Sequence, residues 1–171
     1  MTKIARDIAA PPSGETMLAL TLELGGEIFA IEASRVREIL DMVPITEVPN
    51  APAFLGGLIN VRGRVVPLAD LRVKFCMERP PPDADTRIVV IEIALDGEPM
   101  IVGLLADRVH TVADIALSTL EDAPSVGMRW RQDYVQGIAR LNEQFIILPE
   151  LGRIFSNDGA KGASPDVEER T

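Results

Sequence analysis

The sequence is poor in the side chains that build disulfides and metal sites. Its 171 residues include one cysteine, Cys76, and one histidine, His110. A disulfide needs two cysteines, and a structural zinc site needs four ligands drawn largely from cysteine and histidine. The sequence therefore excludes disulfide frameworks and zinc clusters, and we expect no metal or cofactor. We expect Cys76 and His110 to be buried in the core.

Positive charge, aromatic side chains and long apolar runs are also scarce. The net charge is −9, the pI is near 4.6, and aromatic residues make up 4%. This composition opposes nucleic-acid binding, which needs cations for phosphates and rings for stacking. The longest predominantly apolar run, 88–95, is far shorter than the roughly 18 residues of a membrane helix. The N-terminal segment has no apolar signal-peptide core, so we expect a cytoplasmic protein.

The most informative stretch runs from Pro44 to Leu71. Its first half contains three prolines, which exclude a regular helix and predict an ordered loop. Two apolar runs follow, Leu58–Val61 and Val65–Leu68, separated by the sequence Arg-Gly-Arg at 62–64. Because glycine readily adopts positive φ, this spacing predicts a tight β-hairpin that carries two arginines at its turn.

Other segments flank this hairpin. Alternating apolar residues predict a first hairpin from Met17–Leu24 and Ile28–Glu32. Ser34 is a suitable cap for a short helix, in which Val36, Ile39 and Leu40 would share one face. Later in the chain we predict a proline linker at 79–85, followed by three strands at 87–95, 100–105 and 108–112. A long loop is predicted at 114–132, then a last hairpin from 134–141 and 144–148, and a closing helical turn at 150–155.

An internal similarity predicts two related halves. Residues 54–71 and 134–151 share an aromatic start, a glycine at the fourth position, two apolar runs and an acidic-Leu ending, although two unrelated hairpins can also match by chance. We predict a mainly β fold of two SH3-like five-stranded barrels on a shared core. We expect one domain over 17–155, with barrels at roughly 28–78 and 86–155, the second sharing the N-terminal strand, and flexible tails at 1–16 and 156–171.

The stretch from Ile45 to Leu71 resembles the CheW family of chemotaxis coupling proteins. The shared motifs are Asn-Ala-Pro-Ala-Phe at 50–54, Asn-Val-Arg-Gly at 60–63 and Val-Pro-Leu-Ala-Asp-Leu-Arg at 66–72, and the similarity extends over about 17–155. The resemblance implies two SH3-like barrels without enzymatic activity. It also implies an adaptor that binds a CheA-type histidine kinase regulatory domain and the cytoplasmic tip of methyl-accepting chemoreceptors, recruited to receptor arrays at the membrane.

The family's partner-binding positions correspond here to Arg62, Val36, Glu38, Gly57 and Val89. Arg62 is the strongest of these, since a guanidinium at a turn offers a rigid set of donors to carboxylates or carbonyls. Each position also has a structural interpretation: a solvated charge for Arg62 and Glu38, a core side chain for Val36, and a backbone requirement for Gly57.

Two other functions are compatible with the sequence in part. An enzyme could use Asp70, Asp107 and Asp114 as acid-base groups, but no nucleophile motif, phosphate loop or metal spacing accompanies them. A related adaptor for pilus motility or second-messenger control would share every feature described above. The triple proline at 80–82, the turn at 96–99 and the acidic C-terminal end leave the particular receptor and kinase open.

Overall fold

The structure is a computed structural model that describes residues 15–124 and 130–156. Within these ranges the chain is mainly β, with eleven strands and two short α-helices. The strands are β1 Thr16–Leu24, β2 Glu27–Glu32, β3 Val36–Asp41, β4 Thr46–Glu47, β5 Gly57–Val61, β6 Arg64–Ala69, β7 Arg87–Leu95, β8 Glu98–Ala106, β9 Arg108–Ala116, β10 Val135–Leu141 and β11 Gln144–Pro149. The helices are α1 Leu71–Lys74 and α2 Leu151–Ser156, and the predicted tails lie almost entirely outside the described residues.

The strands form two curled sheets that repeat one plan. Read from the equivalent edge, one sheet has the order β9-β1-β2-β11-β10 and the other has β3-β7-β8-β6-β5-β4. Each contains two antiparallel hairpins joined by one parallel pair, β2 with β11 and β8 with β6. The predicted pair of related SH3-like units is therefore confirmed.

The two units exchange more strands than the single shared N-terminal strand that the sequence analysis predicted. Strands β7 and β8 follow the proline linker, yet they join β3, β5 and β6, while β2 joins β1 and β11. The sheets thus differ from the predicted division at 28–78 and 86–155. The exchange buries apolar side chains of both halves in one core, and its most completely buried members include Phe29, Phe54, Ile91, Leu104 and Phe155.

The hairpins follow from turn chemistry. Arg62 and Gly63 have φ of 55° and 85°, which matches the two positive values of a type I′ turn between β5 and β6. The Asn60 carboxamide oxygen accepts a hydrogen bond of 2.8 Å from the Gly63 backbone N–H. Asn142 and Glu143, with φ of 54° and 66°, make the corresponding turn between β10 and β11. Both predicted hairpins are confirmed.

The helix predicted after Ser34 is wrong. A single 3₁₀ turn at 33–35 leads into strand β3, whose Ile39 and Leu40 pair with Val89 and Ile88 of β7. The apolar spacing that fits a helical face also fits an edge strand whose residues alternate between half-buried and exposed. Pairing with β7 decides between these conformations, and β-branched Val36 and Ile39 suit the strand.

The loop predicted at 114–132 is also partly wrong. Strand β9 continues to Ala116 because it remains paired with β1 as far as Thr16. A 3₁₀ turn at 117–119 follows, and Glu121 bridges to Ile138 of β10. Residues 125–129 of the predicted loop lie outside the described residues.

The expected burial of Cys76 and His110 is wrong as well. Cys76 is exposed and has a left-handed φ of 58° where the chain leaves α1. His110 lies on the edge strand β9, where its Nε2 is 3.2 Å from Glu23 Oε1. An edge position leaves the imidazole in contact with water, so neither side chain contributes to the core.

Candidate partner-binding site

The clearest feature among the predicted positions is an ion pair between Glu38 and Arg62. Arg62 Nη2 donates to Glu38 Oε1 at 2.9 Å, and its Nε donates to Oε2 at 3.2 Å. Glu38 lies on β3, whereas Arg62 lies at the β5–β6 turn, and β7 and β8 separate β3 from β6 in the sheet. A direct contact is possible only because the sheet curls, so the pair spans the opening of this barrel.

Arg62 is well suited to bind a partner while it remains paired. Its side chain is 77% exposed, whereas that of Glu38 is 24% exposed. The hydrogen bond and the charge of Glu38 raise the pKa of Arg62, so the guanidinium stays charged at any physiological pH. The two bonds to Glu38 use two of five N–H donors, and three remain for acceptors on another molecule.

Val36 lies beside this pair at the start of β3. It is half-buried, pairs with Ile91 of β7 and packs against the shared core. Part of the Val36 side chain therefore belongs to the core, as its structural interpretation predicted. The exposed part is next to Glu38 along the same strand. Val36 stays a predicted contact residue whose substitution also affects packing.

Gly57 is required for close packing rather than for unusual backbone conformation. Among the described glycines those with positive φ are 25, 26, 63 and 97, so Gly57 has ordinary backbone angles. A Cβ at Gly57 would lie 2.7 Å from Ile45 Cγ2 and 3.8 Å from Leu68 Cβ. Ile45 is 38% exposed and, with Gly57, lines a groove of about 370 Å³ beside the proline-rich loop. Gly57 lies at the opposite end of β5 from the Arg62 turn.

Val89 is not a surface residue. It lies in the middle of β7 between β3 and β8, pairs with Ile39 and Leu104, and is 0% exposed. The Val89 side chain is therefore inaccessible in this structure, and its role in partner binding stays a prediction. The central position of β7 in the sheet is the physical reason, because both of its neighbours and the shared core cover it.

The structure reveals a buried cation that the sequence analysis missed. Arg72 is 4% exposed and donates to Asp70 at 2.9 and 3.0 Å and to Asp107 at 2.7 Å. Burial lowers the pKa of Arg72, but the hydrogen bonds and charges of the two aspartates outweigh it and raise the pKa overall. Asp107 also accepts a 2.7 Å bond from the Gly25 backbone N–H. The only signal in the sequence was an arginine two residues after a strand-ending aspartate.

This network joins the two sheets and accounts for two of the three carboxylates considered for catalysis. Asp70 caps α1 after β6, and Asp107 follows β8 where the chain crosses to β9 in the other sheet. Both aspartates are held by Arg72, while Asp114 is exposed on β9. In the described residues no cluster of histidine, cysteine and carboxylate side chains could hold a metal ion, and no helix is long and apolar enough to span a membrane.

The structure thus defines a β domain of two SH3-like units on one core, with an exposed ion pair across one barrel. A family model for the CheW-like domain matches residues 18–159, which is most of the chain. The chain therefore belongs to the CheW-like family of chemotaxis adaptor and scaffold proteins, as its resemblance predicted.

Individual relatives agree with this assignment. Chemotaxis protein CheW of Klebsiella aerogenes is 29% identical over 151 residues, which cover 88% of this chain and 87% of the relative. Protein PilI of Pseudomonas aeruginosa is 25% identical over 72% of this chain and 67% of the relative. The crystal structure of the scaffolding protein TtCheW from Thermoanaerobacter tengcongensis superposes with a TM-score of 0.72 and 29% identity, over 82% of this chain and 88% of that one.

Proposed function

We propose that this protein is a non-enzymatic adaptor. It binds the regulatory domain of a CheA-type histidine kinase and the cytoplasmic tip of a methyl-accepting chemoreceptor, and thereby couples receptor state to kinase activity. The observation that carries the proposal is the match of a CheW-like domain to residues 18–159, together with relatives that align over nearly their full length. In this proposal the protein resides in the cytoplasm and is recruited to receptor arrays through the receptor tip.

Coupling by binding alone is consistent with the surface chemistry. Asp70 and Asp107, two of the three carboxylates considered for acid-base chemistry, already accept hydrogen bonds from Arg72 and stabilise the junction of the sheets. An adaptor works through differential binding of two states, which requires exposed and rigidly held side chains rather than reactive ones. Arg62 is such a side chain, because Glu38 fixes its guanidinium while most of its surface stays exposed.

Arg62 is proposed to contact carboxylates or backbone carbonyls of one partner. A central arginine in an interface often costs 2 kcal/mol or more when it is truncated, which is roughly a thirtyfold loss of affinity. Glu38 has a positioning role in this proposal, because its two hydrogen bonds orient the guanidinium. Val36 and the groove beside Gly57 are proposed to add apolar contact area on the same barrel.

The test is a pair of titrations of the purified protein, one against the kinase regulatory domain and one against a receptor-tip helical hairpin. The proposal expects binding to both, with Arg62→Ala weakening one of them at least tenfold. Arg37→Ala is the matched control, since Arg37 is also an exposed arginine, lies on the same strand as Glu38 and is paired with Glu92. Binding to neither partner, or equal losses from Arg37→Ala and Arg62→Ala, would contradict the proposal.

A second candidate is an adaptor for pilus-based motility, favoured by the similarity to PilI. The two candidates share the fold and the proposed binding chemistry and differ in the cognate kinase and receptor. The same titration with a kinase and a receptor taken from a pilus system distinguishes them, because only the cognate pair should bind at low micromolar concentration.

A further inference from the structure

The outer strand of the five-stranded sheet has one edge without hydrogen-bonded pairing, although the curl of the sheet brings part of this strand into contact with β10. Strand β9 is paired with β1 on one side, and among the described strands none is paired along its other side. It spans nine residues, compared with six for β3 and two for β4 at the edges of the other sheet. A long edge with unpaired backbone groups is a template for pairing with another strand.

The two edges that occupy equivalent places in the sheets are treated differently. Strand β3 is bridged to the β5–β6 turn by the Glu38–Arg62 ion pair. The corresponding turn of the other sheet carries Asn142 and Glu143, whose side chains have no positive charge for such a bridge. On β9 the consecutive residues 110–112 are all exposed, and the Val112 side chain is among the exposed large apolar groups at 53%.

Backbone direction fixes which residues could pair across this edge. Thr111 directs both its N–H and its C=O toward β1, where they bond to the Thr21 hydroxyl at 3.2 and 2.6 Å. Successive residues of a strand direct these groups to alternate sides, so those of Val112 and Asp114 point away from β1. A hydrogen-bonded antiparallel pair can therefore be centred on Val112.

A pairing centred on Val112 is self-complementary. If two copies meet about a two-fold axis through Val112, each Val112 faces the other, and each His110 faces an Asp114. The pairing places an apolar pair at the axis and, on each side, an imidazole opposite a carboxylate that can accept a hydrogen bond from its free ring nitrogen. Leu18, 52% exposed on β1 and diagonal to Val112, extends the apolar contact.

We propose that residues 110–114 of β9 pair antiparallel with the same residues of a second copy and join two five-stranded sheets into one. The occupant is a second copy of this chain because the segment complements itself in backbone direction, in its exposed Val112 and in the hydrogen bond between His110 and Asp114. The proposal goes beyond coupling to kinase and receptor, since it concerns the free protein. It uses the opposite sheet from the Glu38–Arg62 pair, so self-association and partner binding can be tested separately.

The test measures the dissociation constant of the full-length protein by sedimentation equilibrium at several concentrations. Because an edge pair buries little surface, we expect a weak dimer, on the order of 10 to 100 µM. Val112→Glu puts two carboxylates at the axis and should weaken the dimer at least tenfold. Val65→Glu is the control, since Val65 is 71% exposed on β6 of the other sheet, and it should leave the dimer unchanged.

A charge exchange tests the register. His110→Asp sets like charges opposite each other and should weaken the dimer, whereas the double variant His110→Asp with Asp114→Lys should restore it. Circular dichroism of each variant confirms that it is folded. A wild-type protein that is monomeric at 500 µM would overturn the proposal, as would a dimer that Val112→Glu leaves intact or a double variant that is as weak as His110→Asp.

Discussion

Replacing Arg72 with methionine tests whether the buried ion network holds the two sheets together. The guanidinium makes three side-chain hydrogen bonds of 2.7–3.0 Å to Asp70 and Asp107. The side chains of these aspartates are 16% and 26% exposed, so water can replace only part of what they lose. Breaking a buried ion pair costs about 3–5 kcal/mol, and the partial exposure lowers our expectation to about 2–4 kcal/mol.

Methionine fills a volume similar to that of the arginine stem, so the loss reports mainly on the charge network. The assay is urea unfolding at pH 7, and the corresponding fall in melting temperature is roughly 5–15 °C for a domain of this size. Arg37→Met is the control, because Arg37 is 55% exposed and its pair with Glu92 should contribute less than about 1 kcal/mol.

A second substitution distinguishes a lost network from a general packing defect. Adding Asp107→Asn to Arg72→Met removes an uncompensated charge. The free energy of unfolding that the double variant loses should therefore be smaller than the sum of the losses of the two single variants. A loss below about 1 kcal/mol for Arg72→Met would refute this expectation, because it would mean that the two aspartates lose little when their common cation is removed. Strictly additive losses would show that the two residues do not interact.

Two further predictions concern local contacts. Gly57→Ala should destabilise the fold by about 1–3 kcal/mol in urea unfolding, because the added Cβ would overlap the Ile45 side chain. Adding Ile45→Ala should relieve most of this loss. A double variant without such relief would mean that another contact limits the space at Gly57. Hydrogen bonds from Arg131, assisted by the charges of Arg131 and Arg153, lower the pKa of Asp133 to about 2. The Asp133 carboxylate therefore stabilises the fold above about pH 4, and this contribution is lost as the pH falls toward 2. The stability difference between wild type and Asp133→Asn should therefore disappear over that range, and a difference that persists at pH 2 would contradict the assignment.

Local chemistry predicted the hairpins, because two-residue turns leave a clear signal. The Arg62–Gly63 turn and the paired apolar runs on either side define β5 and β6 without reference to the rest of the chain. The same reasoning failed for β3. Its short apolar pattern fits both a helical face and an edge strand, and only pairing with β7, some fifty residues later, decides between them.

The exchange of strands between the sheets could not be predicted from local patterns. It depends on which face of each hairpin is covered by the other half, and this is a property of the assembled core. For the candidate site, the family resemblance supplied Arg62 and Glu38 as separate positions. Their direct contact follows from the curl of the sheet, and the burial of Val89 follows from the central place of β7.

In the proposed function, one molecule of this protein joins a receptor to a kinase. The most direct measurement is co-sedimentation of a CheA-type kinase with receptor-tip assemblies, with and without this protein. We expect the kinase to sediment only when the protein is added, and we expect Arg62→Ala to reduce the sedimented amount at least tenfold while Arg37→Ala does not. Sedimentation of the protein with either partner alone, but never with both together, would contradict the proposed coupling of receptor to kinase.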